Sequence, residues 1–156
     1  MVALASGYCF STKTSPGYLI RRASQLMVPL AERYFEGQDL SLSQWISLKM
    51  IRDGIAPTIG ELARYLGHSS GATTRLVDQL EERGLITRNR SNEDRRVVAL
   101  EITPAGLEAT RNMGVRMMEM WDQLFADFEQ DEAEMLIVLL SRLVARLEAE
   151  SAEDVR

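Results

Sequence analysis

One cysteine and one histidine are all that this chain of 156 residues offers of the side chains that most often bind transition metals. A lone Cys9 excludes an internal disulfide framework, and Cys9 with His68 cannot assemble a Cys/His zinc site. The same scarcity leaves little from which to build a nucleophile and its base, and there is no glycine-rich phosphate loop. Neither an enzyme nor a metal or cofactor site is therefore expected. No apolar run approaches the roughly 20 residues that span a bilayer. The opening MVALASGYCFSTK lacks the basic start and long apolar centre of a secretory signal, and residues 1–15 read as a loose arm of a cytoplasmic protein.

Net charge is −5, which on its face argues against a nucleic-acid partner, because phosphate binding rests on Lys and Arg. The average hides a segregation. Residues 64–96 hold seven Arg against five acids, whereas residues 103–156 hold five Arg against twelve. Basic charge is thus gathered in the middle of the chain, and the acids toward its end.

Hydrophobic periodicity divides the chain into helices and one hairpin. From Pro16 to about Glu36, Leu19, Ile20, Ala23, Leu26, Met27, Leu30 and Tyr34 keep the spacing of an amphipathic helix, with Pro29 predicting a kink or local break. Ser41 or Ser43 can cap a second helix carrying Trp45, Ile46, Leu48, Met50 and Ile51. Thr58 and Glu61 have capping-box spacing before a short helix closed by Gly67. After HSS, Leu76, Val77 and Leu80 mark the inner face of another helix, roughly Ser70 to Glu82, closed by Gly84. LITR and VVALEI, with polar NRSNED between them, predict a hairpin over residues 85–102. Thr103 and Pro104 start a long helix, and Asp131 with Glu134 form a capping-box pattern before the last one.

Two short helices joined by a tight turn and followed at once by a hairpin predict a mainly α fold of winged helix-turn-helix type. In that arrangement the second helix lies in the major groove, with Ser69, Ser70, Thr73, Thr74 and Arg75 near base edges or phosphates. Arg90, Arg95 and Arg96 at the hairpin tip reach the neighbouring minor groove or backbone, and Asp94 steers one of them by a charge-assisted hydrogen bond. Alone, Arg75 would suit a helix-surface residue paired with Asp78 or Gln79. Its place in the first half of the helix makes it a groove contact.

The order of elements, SSGATTRLVDQLEERGLITR and above all DRRVVALEITPAG resemble the MarR family of bacterial transcription regulators. The family's wing pattern falls here on Asp94, Arg96, Ile102, Thr103 and Gly106, and the resemblance runs from about Tyr18 to Leu147. It implies a homodimer on double-stranded DNA with a palindromic operator. Residues 16–38 and 104–150 would form a helical dimerisation region, and residues 39–103 the winged helix-turn-helix. It also implies a repressor released by a small anionic effector, an aromatic acid or an acyl thioester, bound between the two regions. Tyr18, Arg21, Arg22, Trp45, His68, Met113 and Met117 sit on the bordering segments, although Trp and Met at helical spacing also suit a core. Two alternatives stay open: a winged-helix scaffold for protein partners, and redox sensing through Cys9. The position of the reactive cysteine in the peroxide-sensing branch of the family falls near Gly17 or Tyr18 instead.

Overall fold

In a computed structural model of the chain, residues 12–90 and 98–153 are described. A short 3-10 turn at Thr12–Thr14 leads into α1 (Pro16–Phe35), α2 (Leu42–Arg52), α3 (Ile59–Leu66) and α4 (Ser70–Glu82). The antiparallel strands β1 (Ile86–Arg90) and β2 (Val98–Ile102) follow, then α5 (Pro104–Leu124) and α6 (Gln130–Glu153). Two compact units, Met1–Met117 and Met118–Arg156, divide within α5.

Local chemistry sets most of these boundaries. Ser15 caps α1 by accepting from the Tyr18 amide at 3.2 Å, with Pro16 in the first turn where its missing N–H costs nothing. The helix then continues through Pro29, so of the kink or local break that the proline predicts, the break is absent. Residues 16–29 are all exposed, so the carbonyl of Gln25, robbed of its donor, still meets water. Ser41 with Gln44, and Thr58 with Glu61, form reciprocal capping boxes on α2 and α3. Gly67 at φ 65° and Gly84 at φ 69° take the left-handed conformation that ends α3 and α4. At α6 the cap differs from the predicted Asp131 and Glu134 pair. Glu132 reaches back to the Glu129 amide at 3.1 Å, and the Glu129 carbonyl accepts from Ala133, so the helix begins two residues earlier.

The core of the first unit is built from Leu40, Leu48, Leu62, Val77, Leu80 and Ile86, each at most 1% exposed. Trp45 is buried beside Phe35, ring centroids 5.6 Å apart, and its indole N–H donates to the Thr110 carbonyl at 3.1 Å. β1 and β2 pair in register from Ile86↔Ile102 to Arg90↔Val98. The Leu100 amide donates to the Pro57 carbonyl at 2.7 Å, which ties the hairpin to the chain entering α3.

The junction between hairpin and α5 explains the sequence ITPAG. Thr103 donates its hydroxyl to the Gly84 carbonyl at 2.7 Å and accepts from the Gly106 amide at 3.1 Å, so one side chain caps α5 and grips the end of α4. A Cβ at position 106 would lie 2.1 Å from the Leu85 carbonyl oxygen, a distance only glycine avoids.

In the second unit Trp121 stacks on Phe125 at 5.7 Å, and Phe125 meets Phe128 edge-on at 5.2 Å. On α6, Met135, Leu136, Leu139, Leu140, Leu143, Val144 and Leu147 are all exposed.

Candidate nucleic-acid interface

Helix α4 is amphipathic in a way that separates packing from recognition. Thr73, Leu76, Val77 and Leu80, at positions i, i+3, i+4 and i+7, are buried and form its inner stripe. Ser69 caps it, accepting from the Ala72 amide at 3.3 Å. On the outer side Ser70, Gly71, Ala72 and Arg75 are exposed, and Thr74 is half-buried with its hydroxyl donated to the Ser70 carbonyl at 2.9 Å. One expected contact is corrected here. Thr73 is fully buried and donates to the Ser69 carbonyl at 3.2 Å, so it faces the core, as its spacing from Leu76 and Leu80 required.

Three polar ties hold the flanks of α4. Gln44 Nε2 donates to Gln79 Oε1 at 3.2 Å, and Arg83 Nη1 donates to the Asp39 carbonyl at 2.7 Å. Arg88, from the middle of β1, donates to Asp78 through Nη2 and meets Glu81 through Nη1 at 3.3 Å. With Asp78 and Gln79 engaged elsewhere, Arg75 makes no ion pair with a described residue. Arg88 was not singled out from the sequence. Strand alternation puts it on the same face as the buried Ile86, which is the signal that marks it as turned inward.

Arg90 ends β1, paired through its backbone with Val98. Asp94, Arg95 and Arg96 at the hairpin tip, and Cys9 in the arm, lie outside the described residues. His68 follows Gly67 with its side chain exposed. At the end of α2, Arg52 Nε donates to Asp53 Oδ1 at 2.7 Å; that hydrogen bond holds the Asp53 carboxyl below the usual carboxylate range and pushes the Arg52 guanidinium up. Among the described residues, no cluster of His, Cys, Asp or Glu is placed to hold a metal ion, and no helix is long and apolar enough to cross a membrane.

The residues named for an effector pocket fall in different surroundings. Tyr18, Arg21 and Arg22 are exposed on α1. Trp45 is spent in the core, with Lys49 Nζ 4.7 Å from its ring centroid, and Met117 is buried. Met113 lines a cavity of about 550 Å³ between the α1–α2 connection, the end of α4 and α5. Leu40 and Leu85 share its apolar wall, while Arg83, Asn112 and Arg116 supply donors, with Asp39 also on the lining. Sequence reasoning missed these because they come from separate segments.

Three helices closed by a two-stranded hairpin, with the outer face of the third helix left free, define a winged helix-turn-helix module, a class of DNA-binding domain. The family model described as "MarR family" matches residues 40–98. YpoP, an HTH-type transcriptional regulator of Bacillus subtilis, is 30% identical over 106 residues, which cover 68% of this chain and 75% of YpoP. The transcriptional repressor MprA of Escherichia coli is 34% identical over 88 residues, 56% of this chain and 50% of MprA. Wild-type MarR of Escherichia coli, solved in its apo form, superposes with a TM-score of 0.71 at 26% identity, over 83% of this chain and 96% of that one. The chain belongs to the MarR family: it is a DNA-binding transcriptional regulator and not an enzyme.

Proposed function

We propose that this regulator acts as a homodimeric repressor that binds a palindromic operator and leaves it when a small anionic ligand is bound. The observation that carries the DNA-binding half is the split of α4 between a buried stripe and an exposed outer side, where Arg75 makes no ion pair among the described residues. Ser69, Ser70, Thr74 and Arg75 would read the major groove, and Arg90, Asp94, Arg95 and Arg96 would extend the contact from the hairpin. A two-fold dimer sets its two reading helices roughly 10 base pairs apart, one turn of DNA. The similarity to the repressor MprA supports repression over activation.

The exposed leucines of α6, and Leu19, Leu26 and Met27 on α1, support a dimerisation region drawn from residues 16–38 and 104–150. An apolar face of that extent on a lone chain favours association.

The effector reading rests on the cavity beside α5. Its volume falls within the range of small-molecule sites, and its lining combines an apolar wall with two guanidinium groups and an amide. That chemistry suits a carboxylate on an aromatic or acyl body. Arg83 ends α4, so a ligand that draws it from the Asp39 carbonyl would favour a different setting of the reading helix.

Arg75→Ala and Arg96→Ala, measured by fluorescence anisotropy on the DNA upstream of the chain's own gene, should each weaken binding by about tenfold while the protein stays folded. Wild-type affinity in both variants would refute the assignment. For the effector, aromatic acids and acyl thioesters should raise the melting temperature of the protein by mass action, and Arg83→Ala should abolish the shift. A scaffold for protein partners would instead show DNA binding with no steep loss as salt rises.

A further inference from the structure

The recognition helix is acidic for a DNA-reading element. Ser70–Glu82 carries one arginine, Arg75, against Asp78, Glu81 and Glu82. Unneutralised carboxylates on that helix would repel the phosphates that α4 has to approach. Asp78 and Glu81 are one turn apart at i and i+3, so they project together from the same side. Arg88 is seated against both, one Nη group to each. Its side chain is 26% exposed, and its Nε is buried with no hydrogen-bond partner. A guanidinium spent in this way has little left to offer a phosphate: contact with DNA would require breaking two carboxylate pairs first.

We infer that Arg88 is a charge-masking residue: it stays off the duplex and cancels Asp78 and Glu81, so that α4 meets DNA with two of its three carboxylates neutralised and only Glu82 set against Arg75. The inference rests on α4 being the groove-reading helix. It is specific to charge, and therefore separable from any support the same side chain gives to the hairpin.

The test uses the full chain and a labelled duplex selected from a random-sequence pool by the wild-type protein. Arg88→Gln should weaken binding about fivefold at roughly 50 mM salt, with the difference shrinking as salt screens the exposed carboxylates. Arg88→Gln combined with Asp78→Asn and Glu81→Gln should recover wild-type affinity, since the masked charges are gone with the mask. Asp78→Asn with Glu81→Gln alone, which keeps Arg88, should tighten binding. Should Arg88→Gln fail to fold, this double variant still decides, because equal or weaker binding overturns the inference. A triple variant as weak as Arg88→Gln would also overturn it and make Arg88 a direct phosphate ligand or a purely geometric brace. Arg75→Ala in the same series separates the two levels. If it binds like wild type, the assignment of α4 fails; if it weakens binding while the triple variant does not recover, only the masking role fails.

Discussion

Helices α4 and α6 are both amphipathic, yet their apolar sides meet different fates. On α4 the stripe Thr73, Leu76, Val77 and Leu80 is buried within the first unit, against a core that α2, α3 and the hairpin complete. On α6 a longer run, Met135 through Leu147, stays open. The same periodicity thus encodes folding in one helix and leaves the other asking for a partner. Hydrophobic spacing says which side of a helix is greasy, and only the surroundings say what covers it.

The largest test of that contrast is to charge the open face. If the proposed dimer forms through α6, Leu139→Asp with Leu143→Asp should raise its dissociation constant by about two orders of magnitude in sedimentation experiments, because each carboxylate buried at that interface would lack a partner. A variant that sediments as wild type would remove α6 from the dimer interface. Next comes the closed side. Gly106→Ala should destabilise the fold by about 3 kcal/mol in denaturant unfolding, since the new Cβ would meet the Leu85 carbonyl and backbone would have to move. A loss under about 1 kcal/mol would mean the junction is softer than its geometry implies.

Thr103→Val should cost about 1 to 2 kcal/mol, as it removes both the α5 cap and the donor to Gly84 while keeping shape. Thermal unfolding within error of wild type would contradict it. The smallest effect belongs to the surface pair Arg52 and Asp53. The folded-state carboxyl titrates below its unfolded value, so the stability it adds is present above the unfolded pKa and disappears as pH falls through the lower, folded one. Both side chains are 37% exposed, so solvent screening limits the contribution to about 0.5 kcal/mol. Asp53→Asn should therefore lower stability at neutral pH by about that amount, leave strongly acid stability unchanged and so flatten the acid limb of the curve slightly; a loss well above this at neutral pH would show a role beyond this pair.

How much could be read in advance follows from how far apart the interacting residues are. Thr58 and Glu61, Gly67, Gly84 and the Thr103-Pro104 start of α5 were legible because caps act within about four residues. Thr73 shares the spacing of Leu76 and Leu80 and is buried with them, so its place on the helix outweighs its polar side chain. The partner of the Trp45 indole N–H, the Thr110 carbonyl, lies 65 residues away along the chain and no local pattern announces it. Cavity residues Leu40, Arg83, Leu85, Asn112 and Arg116 share no motif, and their chemistry exists only where their segments meet.

By itself, then, the sequence determined the run of helices, the hairpin, their caps and the family likeness, since each depends on neighbours along the chain or on the pattern they make. Tertiary structure decided what each cation meets: strand alternation marks Arg88 as turned inward, but only the packing of α4 beside β1 gives it Asp78 and Glu81. That choice rests on distances across space, which a linear order of residues does not carry.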